Sequence, residues 1–94
     1  MITPTELKQY EIDNANIEAI IIDIDKEIKK NHGHYPYEDA ILGKEYTQAV
    51  RNEVARRYRK AGWKYVIHRT SSENGERPGL THFKLSMTPI KWEE

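Results

Sequence analysis

The sequence predicts an α+β fold in which two helices pack on a small antiparallel sheet, and three features carry that expectation. Apolar residues recur at helical spacing in the first third of the chain. A second amphipathic stretch fills the centre, and two alternating segments flank a polar loop towards the C-terminus. With 94 residues, the chain is expected to form a single domain over 1–94. A fold of this size removes only about 60 to 65 % of the unfolded chain's surface from water and cannot support two cores.

The first helix is expected over about residues 4–30. Thr3, Pro4 and Glu6 have the form of a capping box, with Thr3 as N-cap, Pro4 at the first helical position and Glu6 placed to reach back to the Thr3 amide. Leu7, Tyr10, Asn14, Ile17, Ile21, Ile24 and Ile28 then recur at alternating spacings of three and four, and Ile20 widens their stripe. Asp13-Asn14-Ala15-Asn16 leaves a break open, because short polar side chains compete for backbone groups and can cap a new helix. Gly33 can take the left-handed closing conformation, and Pro36 biases Tyr35 towards extended geometry. Residues 35–42 read either as a third short strand or as one helical turn, a segment too short for periodicity to decide.

A second helix is expected over about 44–61. Tyr46, Val50, Val54, Tyr58 and Ala61 lie along one side, with Arg51, Arg56, Arg59 and Lys60 mostly elsewhere. Gly62 closes it, and the cations of its last turns suit the negative end of the helix dipole. Trp63, Tyr65 and Ile67 then alternate with polar neighbours, as do Phe83, Leu85 and Met87, which predicts a hairpin of strands at about 63–70 and 80–87. Joining the more apolar faces pairs Ile67 with Phe83, Tyr65 with Leu85 and Trp63 with Met87, and sets His68 opposite His82. The intervening SSENGERPG has turn-forming residues and no apolar anchor, so it is expected to be exposed. In the tail, Ile90 and Trp92 are the residues able to dock.

Composition narrows the function classes. The formal net charge is zero and there is no cysteine, which excludes disulfides and thiolate zinc sites. No apolar run approaches the roughly 20 residues of a membrane helix, and MITPTELK lacks the pattern of a signal peptide, so a cytoplasmic protein is expected. Charge is uneven along the chain: residues 1–42 carry four basic and nine acidic groups, whereas 51–69 carry seven basic and one acidic. Such asymmetry suits an anionic partner or a head-to-tail contact between copies.

Order and spacing of the elements also support a resemblance. The succession IDIDKEIKKN, YTQAVRNEVARRYRKAGWKYVIH, a polar loop and THFKLS resembles small accessory proteins encoded by bacteriophages and prophages, over about residues 22–87. That resemblance implies a small α+β domain, often self-associating, acting in the cytoplasm of an infected or lysogenic bacterial cell. It brings no catalytic motif.

The residues themselves offer several candidate sites. His32 and His34 flank Gly33, but no thiolate or carboxylate pair is positioned to complete a metal site, and helix-end punctuation is the reading adopted. His68 and His82 read as exposed cross-strand neighbours. Asp23 and Glu27 share a helix side from which Asp25 points away, which describes a solvated face rather than an acid/base pair. No phosphate loop, nucleophile elbow or zinc-protease motif occurs, so no enzyme, cofactor or metal is expected. Ile17, Ile21, Ile24 and Ile28 in line with Asn14 can form a seam between two copies, giving a homodimer, or cover the sheet within one chain.

The strongest functional signal is the basic segment, where Arg56, Arg57, Arg59, Lys60 and Lys64 interleave with Tyr58, Trp63 and Tyr65. Together with Arg69 and the loop residues Glu73, Asn74, Glu76 and Arg77, these form the expected contact surface for a host or phage protein. The rival use is phosphate contact and base stacking in a small nucleic-acid-binding regulator. A ridge neutralised by acids favours protein association, and a solvent-facing one favours nucleic acid.

Overall fold

Thr3 starts the first helix. In the computed structural model, which describes residues 1–71 and 79–92, α1 runs Pro4–Asn14, and Thr3 Oγ1 accepts from the Glu6 amide at 3.1 Å. The one helix expected over 4–30 is two. Asn16 takes a left-handed conformation with φ 52°, and α2 follows over Ile17–Asn31. Asparagine adopts that conformation more readily than other residues with a Cβ, because its short amide can bond locally. The Asn16 carbonyl then accepts from the Ala19 and Ile20 amides, so the kink itself launches α2. The two pieces pack differently: α1 has no buried residue, whereas α2 buries Ile17, Ile20 and Ile24.

Lys29 and Lys30 lie in the last turn of α2, and Gly33 follows with φ 91°. Residues 35–42 contain a strand, β1, over Glu38–Leu42. Helix α3 spans Gln48–Lys60, later than the expected start at Lys44. The reason is tertiary: buried Thr81 Oγ1 accepts from the Tyr46 amide at 3.0 Å and donates to the Lys44 carbonyl at 2.6 Å. Those bonds hold 44–46 extended against the sheet, and Thr47 caps the helix instead.

Strands β2, Tyr65–Ser71, and β3, Leu80–Ser86, complete an antiparallel sheet of order β1-β3-β2. Its register corrects the expected one. Val66 lies opposite Leu85, Ile67 opposite Lys84 and His68 opposite Phe83, one residue away from the Ile67–Phe83 alignment. The alternation assumed to begin at Trp63 does not, because Gly62 (φ 121°) ends α3 and the Trp63 amide bonds back to the Tyr58 carbonyl. Trp63 and Lys64 are spent in that exit and the strand starts at Tyr65. A one-residue shift turns every side chain of β2 over. Val66 and His68 therefore face the helices, and Tyr65, Ile67 and Arg69 face away. His68 and His82 consequently point to opposite sides of the sheet.

The result is an α+β fold with helices on one face of a three-stranded sheet, and three helices among the described residues rather than two. α2 packs on β1 and α3 on β2, while α1 rests on α3. Ile17, Ile20 and Ile24 of α2 and Val50, Val54, Ala55 and Tyr58 of α3 meet Ala40, Leu42, Val66, Phe83 and Leu85 in one core. The isoleucine stripe is thus used against the sheet, leaving Ile22 exposed beside it. Tyr58 locks the helical layer: its single hydroxyl proton is shared between Asp25 Oδ1 at 2.7 Å and the Ile21 carbonyl at 3.2 Å. Burial and the neighbouring Asp25 carboxylate both push the Tyr58 pKa up. No helix among the described residues is long and apolar enough to cross a membrane.

Candidate binding surface on the open sheet face

The cations selected from the sequence divide between two sides of the molecule. Arg56 Nε and Nη2 reach Glu53 at 2.9 and 2.6 Å, and Arg57 Nε reaches the same carboxylate at 3.1 Å. Hydrogen bonds from Arg56, and secondarily from Arg57, hold the Glu53 carboxyl down to about 2 despite its partial burial. Arg59 Nη2 donates to the Val66 carbonyl at 2.9 Å, stapling α3 to the edge of β2. Lys60 and Lys64 are exposed and form no ion pair among the described residues. Arg69 stands apart on the opposite face of the sheet. Glu73, Asn74, Glu76 and Arg77 lie outside the described residues.

Arg69 belongs to a different constellation, on the face where, among the described residues, the sheet carries no helix. β-strand alternation brings three rows to this outer face. Asp39, Lys84 and Ile67 form one row across the strands, Ile41, His82 and Arg69 the next, and Ser86 with Tyr65 a third. Over them lies Trp92. Its ring meets the His82 ring edge-on at 5.0 Å, the Arg69 guanidinium at 4.3 Å and Lys84 Nζ at 4.8 Å. Lys84 Nζ also sits 4.5 Å from the Tyr37 ring, which stacks on Tyr35 with centroids 5.3 Å apart. The Lys84 residue is only 5 % exposed, so its ammonium, held between two aromatic rings, is largely desolvated, where cation–π attraction is strongest. His82 Nε2 bonds the buried Asp39 carboxylate, which fixes the ring against Trp92.

Among the described residues, nothing further covers the face around this cluster. Tyr65 and Ile41 are exposed, and Ile67 is half-buried on β2, across the Lys84 and His82 positions of β3 from Ile41. The surface is aromatic and cationic, and the Ser71–Leu80 pair lies at one end of it. Aromatic and arginine side chains are among the groups that anchor interfaces.

The remaining histidines are engaged locally. His32 Nδ1 bonds Glu38 Oε1 at 2.8 Å and His34 Nδ1 meets the Asn31 carbonyl at 3.1 Å. On the helix-facing side of the sheet, His68 Nδ1 accepts from Arg51 Nη1 at 2.9 Å, which requires the neutral ring. Burial pushes its pKa down to about 4, helped by Arg51 and Arg59. Among the described residues, no three His, Cys, Asp or Glu side chains gather closely enough to hold a metal ion.

Sequence reasoning misses Lys84, Tyr37 and Asp39 as members of a surface cluster. A signal was present: Lys84 and His82 occupy the strand positions alternate to Phe83 and Leu85, so they must share the face opposite the core. Trp92 was legible only as a docking residue. Comparison of the chain with protein-family models, with curated proteins and with solved structures finds no match in any of the three.

Proposed function

We propose that this protein is a non-enzymatic protein-binding module, of the accessory kind that phages and prophages encode, and that it engages a host or phage protein in the bacterial cytoplasm through the open sheet face. One observation carries the choice over nucleic acid: the arginines of the basic segment are already committed. Arg56 and Arg57 share Glu53, and Arg59 serves the edge of β2. A phosphate backbone would have to compete with those bonds, and counterion release favours cations that are free to pair. Conversely, Tyr65, Ile41, Ile67, Trp92 and Arg69 combine apolar area with a cationic anchor, the composition of a protein interface centre.

Site-specific photocrosslinking in cells tests this reading. A benzophenone side chain at Tyr65 or Ile67 is expected to capture a discrete protein, and the same probe at Ile22, on the helical side, is expected to capture none. Capture only from Ile22 would overturn the assignment of the face. A second copy of the chain is the other protein that could occupy it, and identifying the adduct distinguishes the two. Labelled single- and double-stranded oligonucleotides are expected to stay unbound at about 50 mM salt, where phosphate-driven affinity is strongest. Salt-sensitive binding that disappears with Arg69→Ala or Lys60→Ala would make the nucleic-acid reading the correct one.

A further inference from the structure

The sheet order β1-β3-β2 leaves β2 at an edge, paired with β3 alone among the described residues. Half of an edge strand's amides and carbonyls point away from the sheet, and two side-chain contacts identify which half. Arg59 Nη2 reaches the Val66 carbonyl from α3 at 2.9 Å, and on the other edge Asn31 Nδ2 approaches the Asp39 carbonyl at 3.5 Å. Ile67 and Asp39 both lie opposite Lys84, whose backbone groups turn to one neighbour only. If they turn to Ile67, Val66 and Asp39 must both face outward, as the two contacts require. His68 and Thr70 then share the outward set with Val66. Access also differs between the edges: β1 buries Asp39, Ala40 and Leu42, whereas Val66 is the one buried residue of β2.

We propose that the β2 edge accepts an extended segment of a partner polypeptide as a fourth strand, one in which acidic residues alternate with apolar ones. Backbone pairing is what an open edge offers, and the charge around it selects the sequence. Residues 54–71 contain no acidic side chain. Arg51 and Arg59 reach β2 on its helix-facing side, at the His68 ring and the Val66 carbonyl, so entrant side chains turned that way meet positive charge. Those turned outward meet exposed Tyr65 and half-buried Ile67, which suit apolar ones. On entry, an amide of the segment replaces Arg59 at the Val66 carbonyl, and the released guanidinium pairs with a carboxylate of the same segment. A phosphate offers that carbonyl no donor in return. A second copy of the chain is a poorer occupant, because two β2 edges meeting about a two-fold axis place both sets of Arg51 and Arg59 along one seam. That the strand belongs to the partner of the outer face rests on the protein-binding reading above; the open edge does not.

Hydrogen exchange of the ¹⁵N-labelled protein, read by NMR amide by amide, tests this without the natural partner. In the free protein the Ile67 and Arg69 amides are expected to exchange slowly and those of His68 and Thr70 rapidly. The probe is an acetylated peptide amide, matched in length to β2, in which glutamate alternates with valine. At millimolar concentrations it is expected to slow His68 and Thr70 saturably. The same peptide with lysine for glutamate is expected to leave them unchanged. A version N-methylated at every amide keeps the charge but has no donor, and should bind about tenfold more weakly or worse, the loss expected when two or more such bonds go unmade. Slow exchange of His68 and Thr70 in the dilute free protein, no slowing by the glutamate peptide, or an equal response to either control would each overturn the proposal. Protection that rises with protein concentration alone would overturn it too, by making a second copy the occupant. Absence of peptide pairing with crosslinking at Ile67 intact would remove the edge site and leave the sheet-face reading standing, and pairing without crosslinking would do the opposite.

Discussion

The two faces of one sheet use the same three strands for opposite purposes. Towards the helices, β3 presents Phe83 and Leu85, each at most 1 % exposed, against Ala40 and Val66. Away from them, the same strand presents His82 and Lys84, covered by the rings of Trp92 and Tyr37. The first face draws its stability from apolar area taken out of water and from close packing. The second is held by cation–π contacts and an imidazole–carboxylate bond, whose net contribution is small because each cation gives up hydration to make them. Substitutions in the outer cluster are therefore expected to cost the fold less than substitutions in the core.

The largest expected effect sharpens that contrast. Phe83→Ala should destabilise the protein by about 3 to 5 kcal/mol, the usual cost of emptying a packed aromatic site, read from the midpoint of urea unfolding. A loss that size consumes much of the stability of an ordinary small domain. If the substitution cost no more than a change on the outer face, the helix-facing side could not be called the core.

A pH dependence comes next, and it also belongs to the inner face. His68 titrates at about 4 in the folded protein against about 6.5 in the unfolded chain. Its folded pKa is depressed, so the stability it contributes is fully present above pH 6.5 and falls as pH drops towards 4, when the unfolded state takes up the proton first. After discounting for solvent screening, about 1 to 2 kcal/mol should be lost across that window. Thermal unfolding as a function of pH would show this slope, and His68→Leu should flatten it. Glu53, lowered from 4.5 to about 2, adds a further decline with the same sign as pH falls from 4.5 towards 2.

Smaller effects are expected from the outer face. Trp92→Ala should cost about 1 kcal/mol, since it removes contacts with Arg69, Lys84 and His82 but empties no packed cavity. Lys84→Met keeps the length of the stem and exchanges a desolvated charge for a thioether, so urea unfolding should change by less than about 1 kcal/mol in either direction. A loss comparable to that of Phe83→Ala at either position would break the comparison and make the outer cluster a second core.

Much of the architecture can be read directly from the chain, but unevenly. Thr3 as a cap, the closures at Gly33 and Gly62, and the alternation within 80–87 follow from bonds and conformations that nearby residues settle among themselves. Asn16 is an intermediate case: its neighbourhood announces a break, but local chemistry does not say whether the helix will bend through it. Of the candidate surface, Arg69 and the docking of Trp92 were legible. Their meeting was not, because Trp92 lies far along the chain from Arg69 and only the sheet brings them together.

By itself, then, the sequence determined the α+β class, the order of its principal elements and the side of β3 that is buried. Those features depend on periodicity, capping and turn chemistry within a few residues. Only the tertiary structure decided which way β2 faces, because either alternating set of β2 could have turned inward until pairing with β3 and packing under α3 placed Val66 beside Leu85. It also decided that Arg56 and Arg57 share one carboxylate while Arg69 joins an aromatic cluster on the far face. Charge written along a chain states how many cations there are; only packing states which of them remain for a partner.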